Sequence, residues 1–227
     1  MISLQTRSSD LEIMDDLDCH GEVVDQTLRE LEVINRLLGG DYVTLNGINQ
    51  LTNKSKKEYT IADYGCGGGD LAAKIVISGR EKGLEFRVTG IDANPHIVDF
   101  AKRHHPEISF VALDVFNNQT TYDIITATLF VHHFDEDQLV DLFKKMTSQS
   151  RVGVVINDIH RHSLSYYSIK LLTQLFSKSA MVKFDAPLSV RRAFKKNDLI
   201  RILNKAGITN YKLKWKWAFR WQIVIPS

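Results

Sequence analysis

Residues 60–70 read TIADYGCGGGD. A short apolar run ending in Asp63 and Tyr64 passes into four glycines within five positions, and a second carboxylate, Asp70, closes the stretch. A buried strand that turns through glycine into a helix makes a ligand site at the carboxyl edge of a parallel sheet. Backbone N–H groups and the positive end of the helix dipole are exposed there.

The sequence downstream repeats this unit. The first strand, TIADYG, leads to a helix from about Asp70 to Lys82. FRVTGID is a second strand, followed by a helix from Pro95, and ISFVALD is a third. YDIITAT is a fourth, DEDQLVDLFKKM a helix, and RVGVVINDI a fifth strand. Short runs apolar on both faces, alternating with helical stretches, predict a parallel sheet covered by helices on both sides. The fold class is α/β, a doubly wound, mostly parallel sheet.

Upstream, EVVDQTLRELEVINRLL (22–38) has apolar residues at Val24, Leu28, Leu31, Ile34 and Leu38, a helical stripe that Gly39 and Gly40 stop. Asp41 is a cap for a second helix over VTLNGINQL, and KSKKE a solvated connector. Residues 1–55 form a helical cap and 56–227 the core. After the fifth strand comes an insertion, about 160–195, too long for an ordinary connection and holding at least one helix, near Leu164–Phe176. It reads as a lid. NDLIRILNKAG is a helix with Gly207 past its end, and YKLKWKWAFRWQIVIP two final strands. Period-two alternation sets Tyr211, Leu213, Trp215, Trp217 and Phe219 on a buried face, opposite Lys212, Lys214 and Lys216.

At 227 residues the chain suits one large domain that buries roughly 70–75% of its unfolded surface. A net charge of +2 sets up no global field for nucleic acid or an anionic membrane. Cys19 and Cys66 have neither CxxC nor zinc-site spacing, as expected of free thiols in a reducing interior. No apolar run approaches the ~18 residues of a membrane span, and the first residues lack the regions of a signal peptide. The expected location is the cytoplasm, and the expected state a monomer or homodimer.

The glycine loop departs from the dinucleotide fingerprint GxGxxG: Gly65 and Gly67 match, but Asp70 stands at the third position. Asp63 would repel a pyrophosphate and attract an ammonium group. S-adenosylmethionine (SAM) carries an amino acid head and no phosphate. Read as DxGxGxG, the set Asp63, Gly65, Gly67, Gly69 is complete, and the stretch resembles the first motif of the class I SAM-dependent methyltransferases. The resemblance extends over about residues 59–160. It implies that Asp92, with Ala93 beside it, accepts from the ribose hydroxyls. It also implies that Asp114 accepts from the adenine amino group with Val115 against the ring, and that Thr128 and Leu129 pass beneath the methionine moiety.

Methyl transfer needs an aligned nucleophile and little else from the protein, so catalytic residues are weakly encoded. His132 and His133 follow strand four, and Asn157, Asp158, His160, Arg161 and His162 surround the end of strand five. His133 and His160 are expected to line the site, with His160 the better base; the alternative is that one histidine of each group braces the sheet edge. No metal site is expected, because the HH and HxH pairs lack a carboxylate at helical spacing. Arg191 and Arg192 are placed to hold an anionic substrate group or to form surface pairs. LRELEVINRLLGG, INDIHRH and PLSVRRAF look like bacterial small-molecule methyltransferases associated with polyketide or quinone-like products. That likeness implies O-methylation of a phenolic or polyketide-type acceptor. The competing classes are an RNA or protein methyltransferase, which the lysine–aromatic alternation near the end of the chain would suit, and a non-catalytic SAM-binding protein.

Overall fold

In a computed structural model describing residues 4–53 and 55–227, seven strands form one sheet. They are β1 (Glu58–Tyr64), β2 (Glu85–Asp92), β3 (Ser109–Ala112), β4 (Tyr122–Thr128), β5 (Ser150–Ile159), β6 (Lys212–Lys216) and β7 (Arg220–Pro226). Their order is β3-β2-β1-β4-β5-β7-β6, with β1 to β5 parallel and β7 antiparallel to both its neighbours. The chain winds outward from β1 in one direction and then, from β4, in the other. The crevice beyond the end of β1 is therefore the topological switch point, where such sheets bind ligands.

The helices are α1 (Glu22–Leu37), α2 (Gly40–Leu51), α3 (Asp70–Glu81), α4 (Pro95–His104), α5 (Glu136–Gln149), α6 (Ser163–Phe176), α7 (Ala180–Arg192) and α8 (Lys196–Lys205). Local chemistry starts several of them. The Asn94 side chain accepts from the backbone of His96 and Ile97, and Pro95 occupies the first turn of α4. Asp135 and Gln138 form a reciprocal capping box on α5. The sheet separates two cores, and consecutive residues of β4 point into opposite ones: Ile124 meets α2, α3 and α4, and Ile125 meets α5 and α8.

Four expectations change. The second helix starts at Gly40 after Gly39 in the left-handed region, so Asp41 lies inside the first turn. Its carboxylate accepts from Asn35 and Lys74 instead of capping. Of the connector KSKKE, Lys54 lies outside the described residues. The third strand ends at Ala112, and Asp114 instead caps a 3₁₀ turn over Val115–Asn117. The 160–195 insertion holds a second helix, α7, which continues through Pro187. The final aromatic face is not buried throughout. β6 is an edge strand with Trp215 47% exposed, and Trp217 and Phe219 sit at the β6–β7 turn, Trp217 71% exposed.

α2 lies on β5 at a contact that admits no side chain. A Cβ on Gly47 would fall 2.4 Å from Val155 Cγ1. Helix propensity alone favours Gly47→Ala by about 1 kcal/mol, but overpacking at a core contact costs about 1–3 kcal/mol. Urea denaturation should therefore show G47A destabilised, and Val155→Ala in the same chain should restore part of the loss. A stabilised G47A would mean that α2 does not seat on the sheet at this residue.

Candidate functional site

A cavity of about 740 Å³ opens at the switch point. Its walls come from the ends of β1, β2 and β4, the inner side of α1, the segment before α1, α6, α7 and the β6–β7 turn. The α1 stripe is accounted for here. Val24 and Leu28 are buried, whereas Leu28, Leu31, Ile34 and Leu38 line the cavity, so the stripe faces a ligand space and not only a packed core.

At one end stands the glycine turn. Gly65, Gly67 and Gly69 all have positive φ, a region that L side chains rarely adopt. Gly65 N–H and Cys66 N–H both donate to Ile91 O, at 2.8 and 3.2 Å, and pin the turn to the end of β2. A Cβ on Gly65 would meet the Phe130 ring at 2.1 Å, and one on Gly69 the Phe110 ring at 2.6 Å. Beside Gly67 the space is open, with only Leu28 within 4 Å. Gly69 thus serves close packing and starts α3, while Gly65 and Gly67 line the cavity.

Three carboxylates ring this end. Asp63 is 2% exposed, and among the described residues only Thr126 donates to its side chain, at 2.7 Å. Burial pushes Asp63 up to about 7, more than that hydrogen bond restores. Asp92 accepts one N–H on each oxygen, from Gly67 at 3.2 Å and Asn94 at 3.1 Å. Burial raises it too, against these bonds. Asp114 accepts from Phe116 N at 2.9 Å. Ala93, Val115, Thr128 and Leu129 also line the cavity. Thr128 shares a hydrogen bond with Thr44, and Leu129, at φ 53, donates its N–H to Asn157 O. Cys66 is buried, and its burial raises the thiol well above the ordinary range, which suits a small packing residue and not a reactive thiolate.

The other end holds a polar cluster that the sequence did not disclose. His133 Nδ1 lies 2.5 Å from Asp15 Oδ1, and Arg192 pairs with the other oxygen of Asp15. Burial opposes ionisation of Asp15, but these two partners hold it well below the usual carboxylate range. His132 is buried with Nδ1 2.8 Å from Asp158 Oδ1, and its Nε2 lies 3.6 Å from Glu12 Oε1. Glu12 accepts from Ser189 at 2.8 Å, and burial raises it to about 7. Among the described residues Glu12, His132 and His133 bring three potential ligand atoms within 4.8 Å of one another. The carboxylate missing at helical spacing thus arrives by tertiary contact. The Arg192 guanidinium, 3.7 Å from Glu12 Oε1, already supplies positive charge there.

α7 assembles this end. Its Asp185 accepts from Ile13 and Met14 N–H, Ser189 donates to Glu12, and Arg192 holds Asp15 and the His133 carbonyl. The two arginines after Pro187 therefore pair within the chain, Arg192 as above and Arg191 with Asp10 at 3.0 Å. Glu30 of α1 accepts from the backbone of Lys178 and Ser179, which fastens the α6–α7 connection. The inner side of α6 contributes Ser165, Ser168, Ile169 and Leu172 to the cavity, whereas Leu171, Leu175 and Phe176 face outward.

His160 lies elsewhere than expected. It is not among the lining residues; its ring packs 5.0 Å from Trp221 and 5.4 Å from His162, and its backbone bridges to Phe194. β7, antiparallel to β5, continues to the last residue of that strand and draws the following histidine under the β6–β7 turn. Burial, with His162, Arg161 and Lys195 nearby, lowers its pKa. The residues that line the cavity in its place, Glu12, Asp15 and Asp185, carried no periodic signal.

Among the described residues no helix is long and apolar enough to cross a membrane. Comparison with curated proteins found no significant match. Residues 61–153 match a family model described as a methyltransferase domain. Among solved structures, human N-acetylserotonin methyltransferase in complex with SAM has a TM-score of 0.63 at 18% identity, covering 91% of this chain and 56% of that one. The plantazolicin methyltransferase BpumL in complex with S-adenosylhomocysteine (SAH) gives 0.64 at 15% identity, covering 90% and 98%. Magnesium protoporphyrin IX methyltransferase from Synechocystis with bound SAH gives 0.52 at 16%, covering 96% and 89%. The chain spans just over half the length of the human protein, and at these identities the likeness is one of fold. Residues 61–153 thus match the methyltransferase-domain model, and the sheet as a whole has the fold of the SAM- and SAH-bound methyltransferases named above.

Proposed function

We propose that the chain transfers the methyl group of SAM to a small acceptor bearing an ionisable hydroxyl, with His133 as the base. The carrying observation is one cavity whose lining includes the buried acids, the open glycine backbone and the Asp15–His133 pair. When bound, SAM supplies an electrophilic methyl on a sulfonium, so the chain need only bind, align and exclude water. The fit is supported by Asp63, a buried carboxylate with a single hydrogen-bond donor and no cation bonded to it among the described residues. It would take the ammonium group. Asp92 keeps a lone pair on each oxygen for the ribose hydroxyls, Asp114 and Val115 flank the adenine, and Gly67 leaves room for close approach of the ligand.

At the acceptor end, Asp15 is held ionised and can only accept, so Nδ1 of His133 carries the proton and Nε2 presents its lone pair. That nitrogen would take the hydroxyl proton as the O–C bond forms and the S–C bond of the sulfonium breaks, leaving SAH. Phe130, Phe134, Trp217 and Phe219 add aromatic wall, as a flat apolar acceptor requires. The three named neighbours differ in acceptor, so the fold selects none. This lining is what favours a phenolic or polyketide-type molecule over RNA or protein. In this reading residues 1–55 act as a cap and 160–195 as a lid.

Two tests follow from the geometry. Methyl transfer from labelled SAM to a phenol panel should fall by about a hundredfold or more in His133→Ala, with SAM affinity retained, whereas His160→Ala should leave turnover near wild type. A panel with no turnover, beside methylation of RNA, would overturn the acceptor class. The second test uses pH. Below about 7 Asp63 is protonated in the ligand-free protein, and ammonium binding must expel that proton. SAM affinity by calorimetry should therefore rise with pH up to about 7 and level off above it. Asp63→Asn should abolish the dependence and weaken binding at pH 8. Its folded-state pKa is raised, so ionised Asp63 destabilises the ligand-free fold increasingly as pH climbs from its unfolded value through about 7. D63N should accordingly unfold at a higher temperature than wild type at pH 8.

A further inference from the structure

We infer that Arg220 is a carboxylate receptor in the cavity wall, which deepens the methyl-transfer reading and rests on it for the ligands concerned. Arg220 opens β7 and is 4% exposed, and it lines the cavity together with Asn35 and Thr128. One guanidinium nitrogen, Nη2, donates to Asn35 Oδ1 at 2.9 Å. The other two, Nε and Nη1, are buried without a hydrogen-bond partner. A buried guanidinium with two idle donors is among the most unfavourable states a side chain can occupy, and an anion relieves it.

Among the described residues none supplies that anion. Asp158 and Asp41 are the carboxylates whose charge reaches Arg220, yet neither bonds to it. Asp158 accepts from the ring and backbone of His132 and from Ile159 N–H. Asp41 is taken by Asn35 Nδ2 and Lys74. Room for the guanidinium has been kept, since a Cβ on Gly40 would lie 2.8 Å from Arg220 Cζ and Nη2. Burial draws Arg220 down to about 10, so it stays charged at neutral pH. Its neighbour Thr128, at the end of β4, belongs to the stretch assigned to the methionine moiety, and the β6–β7 turn before Arg220 belongs to the acceptor end. Nε–H and Nη1–H lie on different edges of the guanidinium, so a planar carboxylate takes one of them together with the second N–H of Nη2, whose first is held by Asn35. It can belong to the amino acid head of the cofactor or to the acceptor.

The test uses Arg220→Met, similar in length and uncharged, with Arg220→Lys keeping the charge but losing the fork. Calorimetry compares SAH with S-adenosyl-3-thiopropylamine, which keeps the amine and lacks the carboxylate. In SAH-loaded protein it compares 4-hydroxybenzoate with its methyl ester. Wild type should prefer the carboxylate in at least one pair, and R220M should cut that preference by about tenfold or more. Loss in the first pair assigns Arg220 to the cofactor, and loss in the second to the acceptor. Ligand-free R220M should melt no lower than wild type, because it removes an unsatisfied buried charge. The inference is overturned if wild type prefers the carboxylate in neither pair, or if the preference survives in R220M. It is equally overturned if R220M melts lower and weakens both members of each pair alike, the signature of a brace to Asn35. Should R220M not fold, R220K decides: a preference reduced severalfold supports the receptor, and full retention overturns it. Wild type that binds no adenosyl ligand overturns the methyl-transfer reading itself, and with it this one.

Discussion

Everything at the site depends on how the chain leaves β1. Two successive N–H groups, of Gly65 and Cys66, converge on the single carbonyl of Ile91 and fasten the turn to the neighbouring strand. With the turn held there, Phe130 packs against Gly65 where a side chain would stand, and Asp92 accepts from Gly67 N–H. The turn joins the ends of β1, β2 and β4 in one piece of structure. A side chain at Gly65 would displace Phe130, and with it the segment leading to His132 and His133. The glycines are thus a demand of packing and backbone conformation before they are a demand of the ligand.

That ordering explains which parts could be read from the sequence. Short apolar runs at 58–64, 85–92, 122–128 and 150–159 and the helices between them are local signals, and they lie in one sheet, as do the last two strands, which pair antiparallel. The carboxylates at the strand ends were readable for the same reason, since a strand end fixes position without tertiary knowledge. Where local signal misled, a particular residue shows why. The helix α7 gave no clear signal, and its thirteen residues run through Pro187 because the neighbouring turns bury Met181, Val182, Leu188 and Val190. His160 belongs to a group of polar residues at a strand end and gave the strongest apparent claim to catalysis. It is turned aside because β7 pairs to the end of β5, a contact some sixty residues away in sequence.

The cluster of Glu12, Asp15, His132 and His133 was hidden because it is assembled from segments with no pattern of their own. Glu12 and Asp15 lie in a 3₁₀ turn and its cap, an element too short to carry periodicity. They reach His132 and His133 only because Asp185 of α7 grips the backbone at Ile13 and Met14. Three parts of the chain separated by more than fifty residues must dock before the Asp15–His133 pair exists. The glycine turn, by contrast, is complete within one βα unit.

The charges follow the same division. At the glycine turn burial leaves the carboxylates of Asp63 and Asp92 short of partners and raises both, a standing cost to the ligand-free fold. At the docked end Asp15 and Asp158 are lowered by histidine and arginine contacts, so the same kind of group stabilises the assembly there. A fold that only needed to be stable would replace the first set with apolar residues and keep the second. Glu12 and Asp185 mark the limit of that division: burial raises both although they lie in the docked cluster, so docking holds ionised only the acids hydrogen-bonded to a histidine or arginine, Asp15 and Asp158.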